Sequence, residues 1–216
     1  MHRNKITILE DRVIKEFSTE RNFQTELRGR EIFSLAWKVP KILGITEKTI
    51  TYEKIGKKTL AENIKQARLA DVIRFIGRTK SITPYAEFET MDYSAITKKL
   101  PRSFTKKVRT KPERIVHGDF RPHNILEGEV LIDFEFSHIG VIEEDLAKFY
   151  VETLSLNENL ADDILGYARK GDYCTFLFNC YAIGLKQLEC EHYIKKDVKR
   201  FLMQVKLEIY KNIDKY

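Results

Sequence analysis

Ile115-Val116-His117-Gly118-Asp119-Phe120-Arg121-Pro122-His123-Asn124, followed shortly by Val130-Leu131-Ile132-Asp133-Phe134-Glu135, is the stretch on which the fold turns. Two acids and one amide stand in loops or at strand ends, each flanked by apolar residues that favour extended chain. Between them Glu127-Gly128 marks a turn, so the chain doubles back and Asp133 can approach Asn124. Turn capping and solvation would explain any one of these polar residues. They do not explain Asp133 within an apolar run read as a strand over 129–134, because a carboxylate there is costly unless paired or metal-bound.

The chemistry that needs such a set is phosphoryl transfer. It requires a group to orient the acceptor hydroxyl and hard oxygen ligands for magnesium, with little covalent help from the protein. Asp119, Asn124 and Asp133 are of the right types. The stretch also resembles the catalytic and metal-binding loops of the aminoglycoside phosphotransferase and choline kinase group, relatives of the protein kinases. That family writes His-Gly-Asp, four residues, Asn, then a hairpin ending in Ile-Asp-aromatic-Glu/Asp. Here the corresponding residues are His117-Gly118-Asp119, Asn124 and Ile132-Asp133-Phe134-Glu135.

The resemblance implies an α+β, protein-kinase-like fold of two lobes: a small antiparallel-sheet lobe with one helix, residues 1–53, and a mainly helical lobe, residues 54–216. It implies Asp119 as catalytic base or orienter, and Asn124 and Asp133 as ligands of magnesium on the ATP phosphates. His117 would brace the loop. Arg121 would stabilise charge on the transferred phosphoryl group, or else stand as an exposed loop cation. Asp145, in Glu143-Glu144-Asp145-Leu146-Ala147, would support the catalytic loop from the next helix.

Upstream, a kinase-like site needs a strand lysine to grip phosphates and a helical glutamate to hold it. Val13-Ile14-Lys15-Glu16-Phe17 offers Lys15, and Phe23-Gln24-Thr25-Glu26-Leu27 offers Glu26, with Glu31 a competitor one turn on from Leu27. By position, Tyr52, Glu53 and Lys54 resemble the interlobe hinge whose backbone binds adenine. One departure is plain: no glycine precedes Lys15, so the family's Gly-rich phosphate loop is missing.

Hydrophobic patterning fills in the rest. Strands are expected over 6–9, 12–17, 41–45 and 48–53, and a helix over 22–37 capped by Asn22. A second helix is expected over 59–78. Residues 81–114 read as irregular with one short helix. Four helical stretches follow from Glu143, the last over 197–213.

The 216 residues, 43% hydrophobic and 32% charged, suit a packed core and exclude a disordered chain. A net charge of +6 suits an acidic ligand such as a nucleotide, or simply a solubilising lysine surface. Without a groove-reading motif it does not indicate nucleic acid. No apolar run approaches the length of a membrane span, and no signal peptide is evident, so a cytoplasmic protein is expected. Cys174, Cys180 and Cys190 match no zinc spacing and are expected to be buried free thiols.

The leading expectation is a kinase that moves the γ-phosphoryl group of ATP to a hydroxyl of a small molecule, an amino alcohol, sugar or aminoglycoside. The short span from Asp133 to Asp145 and the lack of an Ala-Pro-Glu sequence favour this over a peptide acceptor. Asp162, Asp163, Asp172, Glu189 and Glu191 are candidates to attract a cationic acceptor, or a solvated face. Two alternatives stand beside it: a compact atypical protein kinase, and a pseudokinase, a binding module that keeps the fold without turnover.

Overall fold

The structure, a computed structural model, describes residues 4–56, 58–82, 88–190 and 193–213. The chain opens with an antiparallel hairpin, β1 (Lys5–Ile8) and β2 (Arg12–Glu16), closed by the Leu9 N–H on the Arg12 carbonyl at 2.9 Å. Helix α1 (Glu20–Phe33) follows, and then the hairpin β3 (Ile42–Thr46) and β4 (Thr49–Glu53). The four strands form one antiparallel sheet in the order β1-β2-β4-β3. Alternation along β2 and β4 turns Lys15, Phe17, Ile50 and Tyr52 to one face, and α1 covers it with Phe23 and Leu27. The α1 cap is Thr19, whose hydroxyl accepts the Asn22 N–H at 3.1 Å. Asn22, the expected cap, is inside the first turn, because the Thr19 hydroxyl already satisfies the orphan donor.

The remaining chain is mainly helical: α2 (Leu69–Lys80), the single turns α3 (Ser94–Thr97) and α4 (Arg102–Thr105), then α5 (Ile142–Thr153), α6 (Glu158–Ala168), α7 (Tyr173–Glu189) and α8 (Lys195–Lys211). Helix α7 is apolar nearly all round and runs through the core between α5 and α8. Two small antiparallel pairs lie between the sheet lobe and these helices: β5 (Arg114–Val116) with β8 (His138–Gly140), and β6 (Ile125–Leu126) with β7 (Val130–Leu131).

Four further expectations need correction. The helix expected over 59–78 starts only at Leu69. Before it, Thr59 bridges Leu126 and the Leu60 N–H bonds the Ile125 carbonyl at 2.7 Å, so these two residues join the β6–β7 pair, and a short 3-10 turn, Ile64–Gln66, follows. Asp71 then starts α2 by accepting the Arg68 N–H. The strand expected over 129–134 ends at Leu131, and Asp133 has φ 70°, left-handed backbone that stops any ladder. Cys190 is exposed at the end of α7, whereas Cys174 and Cys180 are buried. Two helical turns rather than one occupy the described part of 81–114, and residues 83–87 fall outside the described residues. No helix among the described residues is long and apolar enough to cross a membrane.

Candidate active site

Strand β5 ends where the polar motif begins. His117 is fully buried, with its ring packed edge-on to Phe33 and against Phe134. Its Nε2 lies 3.0 Å from the Ile132 carbonyl, so the neutral ring donates there and ties one loop of the site to the other. Burial holds its pKa below the usual histidine range, which keeps it uncharged. Sequence reading assigned it this bracing position.

The next residue turns the chain. Gly118 has φ 75°, and a Cβ there would lie 2.2 Å from the Phe136 carbonyl oxygen. Asp145, at the start of α5 and fully buried, accepts the His117 N–H at 2.9 Å and the Gly118 N–H at 3.0 Å, one on each oxygen. Burial pushes its pKa up to about 7 in spite of those two bonds. Asp145→Asn replaces one accepting oxygen by an NH2 group facing a backbone N–H. A loss of about 1–3 kcal/mol is expected, the cost of one unsatisfied buried donor, measured by urea unfolding. A variant as stable as the wild type would show that the brace is not needed.

Asp119 is 8% exposed, at the mouth of this loop. Asn124 is turned back on it by the single 3-10 turn Pro122–Asn124, and its Nδ2 donates to both the Asp119 carbonyl and Asp119 Oδ2, each at 2.9 Å. That commitment points the other arm of the amide, Oδ1, away from Asp119. Arg121 Nε lies 3.0 Å from Asp119 Oδ2, an ion pair without hydrogen-bond alignment. Lys148 Nζ lies 3.2 Å from Asp119 Oδ1.

Asp133 arrives from the other side. The Ile132 N–H bonds the Asn124 carbonyl at 3.0 Å, which brings Asp133 beside Asn124 as the turn at Gly128 predicts. Its carboxylate meets Lys15 Nζ, which also lies 3.0 Å from Glu26 Oε2. Tyr52 donates its hydroxyl to Glu26 Oε1 at 2.8 Å, holding the glutamate from above. Lys15 is 3.9 Å from Glu135 as well. One lysine thus faces three carboxylates. Burial alone would lower the Lys15 pKa, but Glu26, Asp133 and Glu135 outweigh it and hold the ammonium charged. Burial opposes the charge of Asp133 too, but Lys15 keeps it ionised, while burial pushes Glu135 up to about 6. Glu31 is exposed, so Glu26 is the partner of Lys15.

The three hinge positions are held at the end of the sheet. Tyr52 is laddered to Val13 and Ile42 and turns its side chain inward. Glu53 Oε1 accepts the Lys41 N–H at 2.8 Å. The Lys54 N–H bonds the Asp11 carbonyl at 3.1 Å and its Nζ the Leu9 carbonyl at 2.9 Å, so it clips the β1–β2 turn to the crossover.

Two contributors escaped sequence reading. Lys148 looks like any helix lysine until the fold sets it on Asp119. Gly29 on α1 lets that helix approach closely: a Cβ there would stand 2.7 Å from the Phe134 Cβ. The spacing of Gly29 three residues after Glu26 is the only trace of this in the sequence, and it is a weak one.

Asn124 Oδ1 and the Asp133 carboxylate are hard oxygen donors of the kind magnesium takes, on segments joined by the Ile132–Asn124 backbone bond, and the Lys15 ammonium already sits on Asp133. The residues fit that metal.

Residues 80–173 match the sequence profile of the phosphotransferase enzyme family. Comparison with curated protein sequences finds no match. Among solved structures, the gentamicin complex of aminoglycoside phosphotransferase APH(2'')-IIa is similar with a TM-score of 0.60 and 14% identity, over 96% of this chain and 87% of that one. A choline/ethanolamine kinase family protein from Mesorhizobium loti gives 0.59 and 14%, over 98% and 85%. A ternary complex of the aminoglycoside phosphotransferase APH(4)-Ia with AMP-PNP and hygromycin B gives 0.57 and 13%, over 97% and 92%. The segment that carries Asp119, Asn124, Asp133 and Asp145 thus matches the phosphotransferase enzyme family, and the chain as a whole has the protein-kinase-like fold of the aminoglycoside phosphotransferases and choline kinases.

Proposed function

We propose that this chain is a magnesium-dependent kinase that transfers the γ-phosphoryl group of ATP to a hydroxyl of a small molecule. The observation that carries the reading is the pair of facing clusters: Lys15 held by Glu26 and Asp133 on one side, Asp119 held by Asn124 on the other. In this reading residues 1–53 and 54–216 act as two lobes that close on the nucleotide. Lys15 grips the phosphates, and Glu26 with Tyr52 fixes the direction of its ammonium. Asn124 and Asp133 hold magnesium, which offsets charge on the phosphates when bound. Asp119 orients the acceptor hydroxyl and takes its proton, and Arg121 faces the charge of the group in transfer.

In this reading the exposed apolar residues beside Lys15 serve as the base-stacking surface. Ile6 and Ile8 pair with Lys15 and Val13, so their side chains share the face of Lys15, yet they are 58% and 66% exposed. An apolar strip beside the phosphate-gripping lysine suits a flat nucleobase, with Glu53 and Lys54 at its edge. The nucleotide and acceptor complexes of the similar structures support the same use of the cleft. Unpaired cysteines suit a cytoplasmic setting.

A thermal-shift titration with Mg·ATP and Mg·GTP tests the site. Nucleotide at 100 times its Kd should stabilise by about 2.7 kcal/mol, a rise in Tm on the order of 5–10 °C for a chain of this size. Asp133→Ala should abolish the magnesium-dependent part. A shift without transfer to any acceptor would favour the pseudokinase, and transfer to protein alone the atypical protein kinase. No shift with either nucleotide would defeat both kinase readings and leave the pseudokinase, a binding module that keeps the fold without turnover.

A further inference from the structure

Lys148 plays no part in the scheme above, yet it is built into the site. It lies on α5, one turn beyond Asp145, with its side chain only 15% exposed. Its ammonium is 3.2 Å from Asp119 Oδ1 and 3.4 Å from Glu152 Oε1. The Tyr193 hydroxyl donates to the same Glu152 oxygen at 3.1 Å, so the row runs from the catalytic loop to the segment after α7. Burial pulls the lysine's pKa down, but Asp119 and Glu152 outweigh it, and the group stays protonated.

The charges in this row decide what can approach. Asp119 and Glu152 are each already paired with Lys148, and Arg121 stands on the far oxygen of Asp119. An ammonium carries three N–H donors, and these two ion pairs engage two of them. A cationic acceptor would meet this buried ammonium, with which both nearby carboxylates are already ion-paired. An anionic group would find a charged donor. The acids that might have drawn a cation lie elsewhere: Asp172 caps α7 and pairs with Arg109, and Asp162 and Asp163 are on the exposed face of α6. Glu189 is exposed on the last turn of α7, and Glu191 is outside the described residues.

We propose that Lys148 is a specificity-determining residue that binds an anionic group on the acceptor, beside the hydroxyl oriented by Asp119. The acceptor is then a hydroxylated carboxylate or phosphate ester, not a polyamine. This rests on the kinase reading, and the two can fail separately.

The protein is first loaded with Mg·AMP-PNP and its thermal shift recorded. It is then titrated with glycerate, glycerol 3-phosphate and gluconate, and with their uncharged and amino counterparts glycerol, glucose, aminopropanediol and glucosamine. ADP release from Mg·ATP is followed with the same compounds. At least one anion should bind roughly tenfold or more tighter than its counterparts, the worth of one hydrogen bond to a charged group. Which anion binds separates carboxylate from phosphate ester. Lys148→Met should abolish that preference and Lys148→Arg should keep it, both with an unchanged nucleotide shift. An amino compound binding best, no anion binding to the nucleotide-loaded protein, or an equal loss for every compound in Lys148→Met would overturn the assignment. In each of those cases the nucleotide shift persists and the kinase reading stands. Loss of the nucleotide shift in the wild type would remove both.

Discussion

Asp119→Asn is expected to lower the transfer rate by about 10²–10⁴-fold, the usual contribution of a positioned acid–base group. The substitution is isosteric, and its amide oxygen can still accept from Asn124, so the loop keeps its shape. Two things are lost: the negative charge that pairs with Arg121 and Lys148, and the capacity to take a proton. Nucleotide binding should survive, because Lys15, Glu26 and Asp133 are untouched. The comparison of ADP release with the Mg·ATP thermal shift is therefore the decisive one. A variant with wild-type turnover would remove Asp119 from the mechanism. A variant that loses the nucleotide shift as well would mean that the loop, not the proton transfer, had been damaged.

Gly118→Ala is expected to damage the same loop through backbone alone. A non-glycine residue in left-handed backbone costs roughly 1–2 kcal/mol. The added Cβ would also stand 2.2 Å from the Phe136 carbonyl oxygen, which cannot swing aside as a side-chain tip can. Phe136 follows directly on Asp133-Phe134-Glu135, so relief of the clash moves the segment that carries Asp133. It also strains the Gly118 N–H bond to Asp145. A total loss of about 3–5 kcal/mol is expected, at the upper end for a single substitution, with turnover falling together with stability. Urea unfolding measures the first and ADP release the second. A variant within about 1 kcal/mol of wild type and fully active would show that the loop accommodates the methyl group without moving.

Much of the site was legible because it is local. Asp119, Asn124 and Asp133 are linked by one short turn and one hairpin, which lets them approach, and the resemblance marks them as one set. Lys15 and Glu26 were legible through the resemblance, which asks for a strand lysine and a helical glutamate; only the structure set Glu26 rather than Glu31 on Lys15. The four C-terminal helices announced themselves by periodicity, which needs no knowledge of the partner they pack on.

Other features were decided by contacts between distant parts of the chain. The apolar pattern over 59–78 is helical throughout, but pairing of Thr59 and Leu60 with the β6 strand satisfies that backbone first, and the helix starts late. The run to Phe134 reads as strand, but Lys15 draws the Asp133 carboxylate out of the ladder, and the backbone turns left-handed to deliver it. Propensity cannot foresee either, since each outcome depends on a partner far along the chain.

The sequence by itself determined which polar groups are brought together: Asp119 with Asn124 on one loop, and Asp133 with Lys15 and a helical glutamate. Only the tertiary structure decided how the charges balance around them. Lys148 is one of many lysines until α5 packs behind the catalytic loop and buries it on Asp119. A charge has no local signature of burial, and its meaning comes from the neighbours that the fold brings to it.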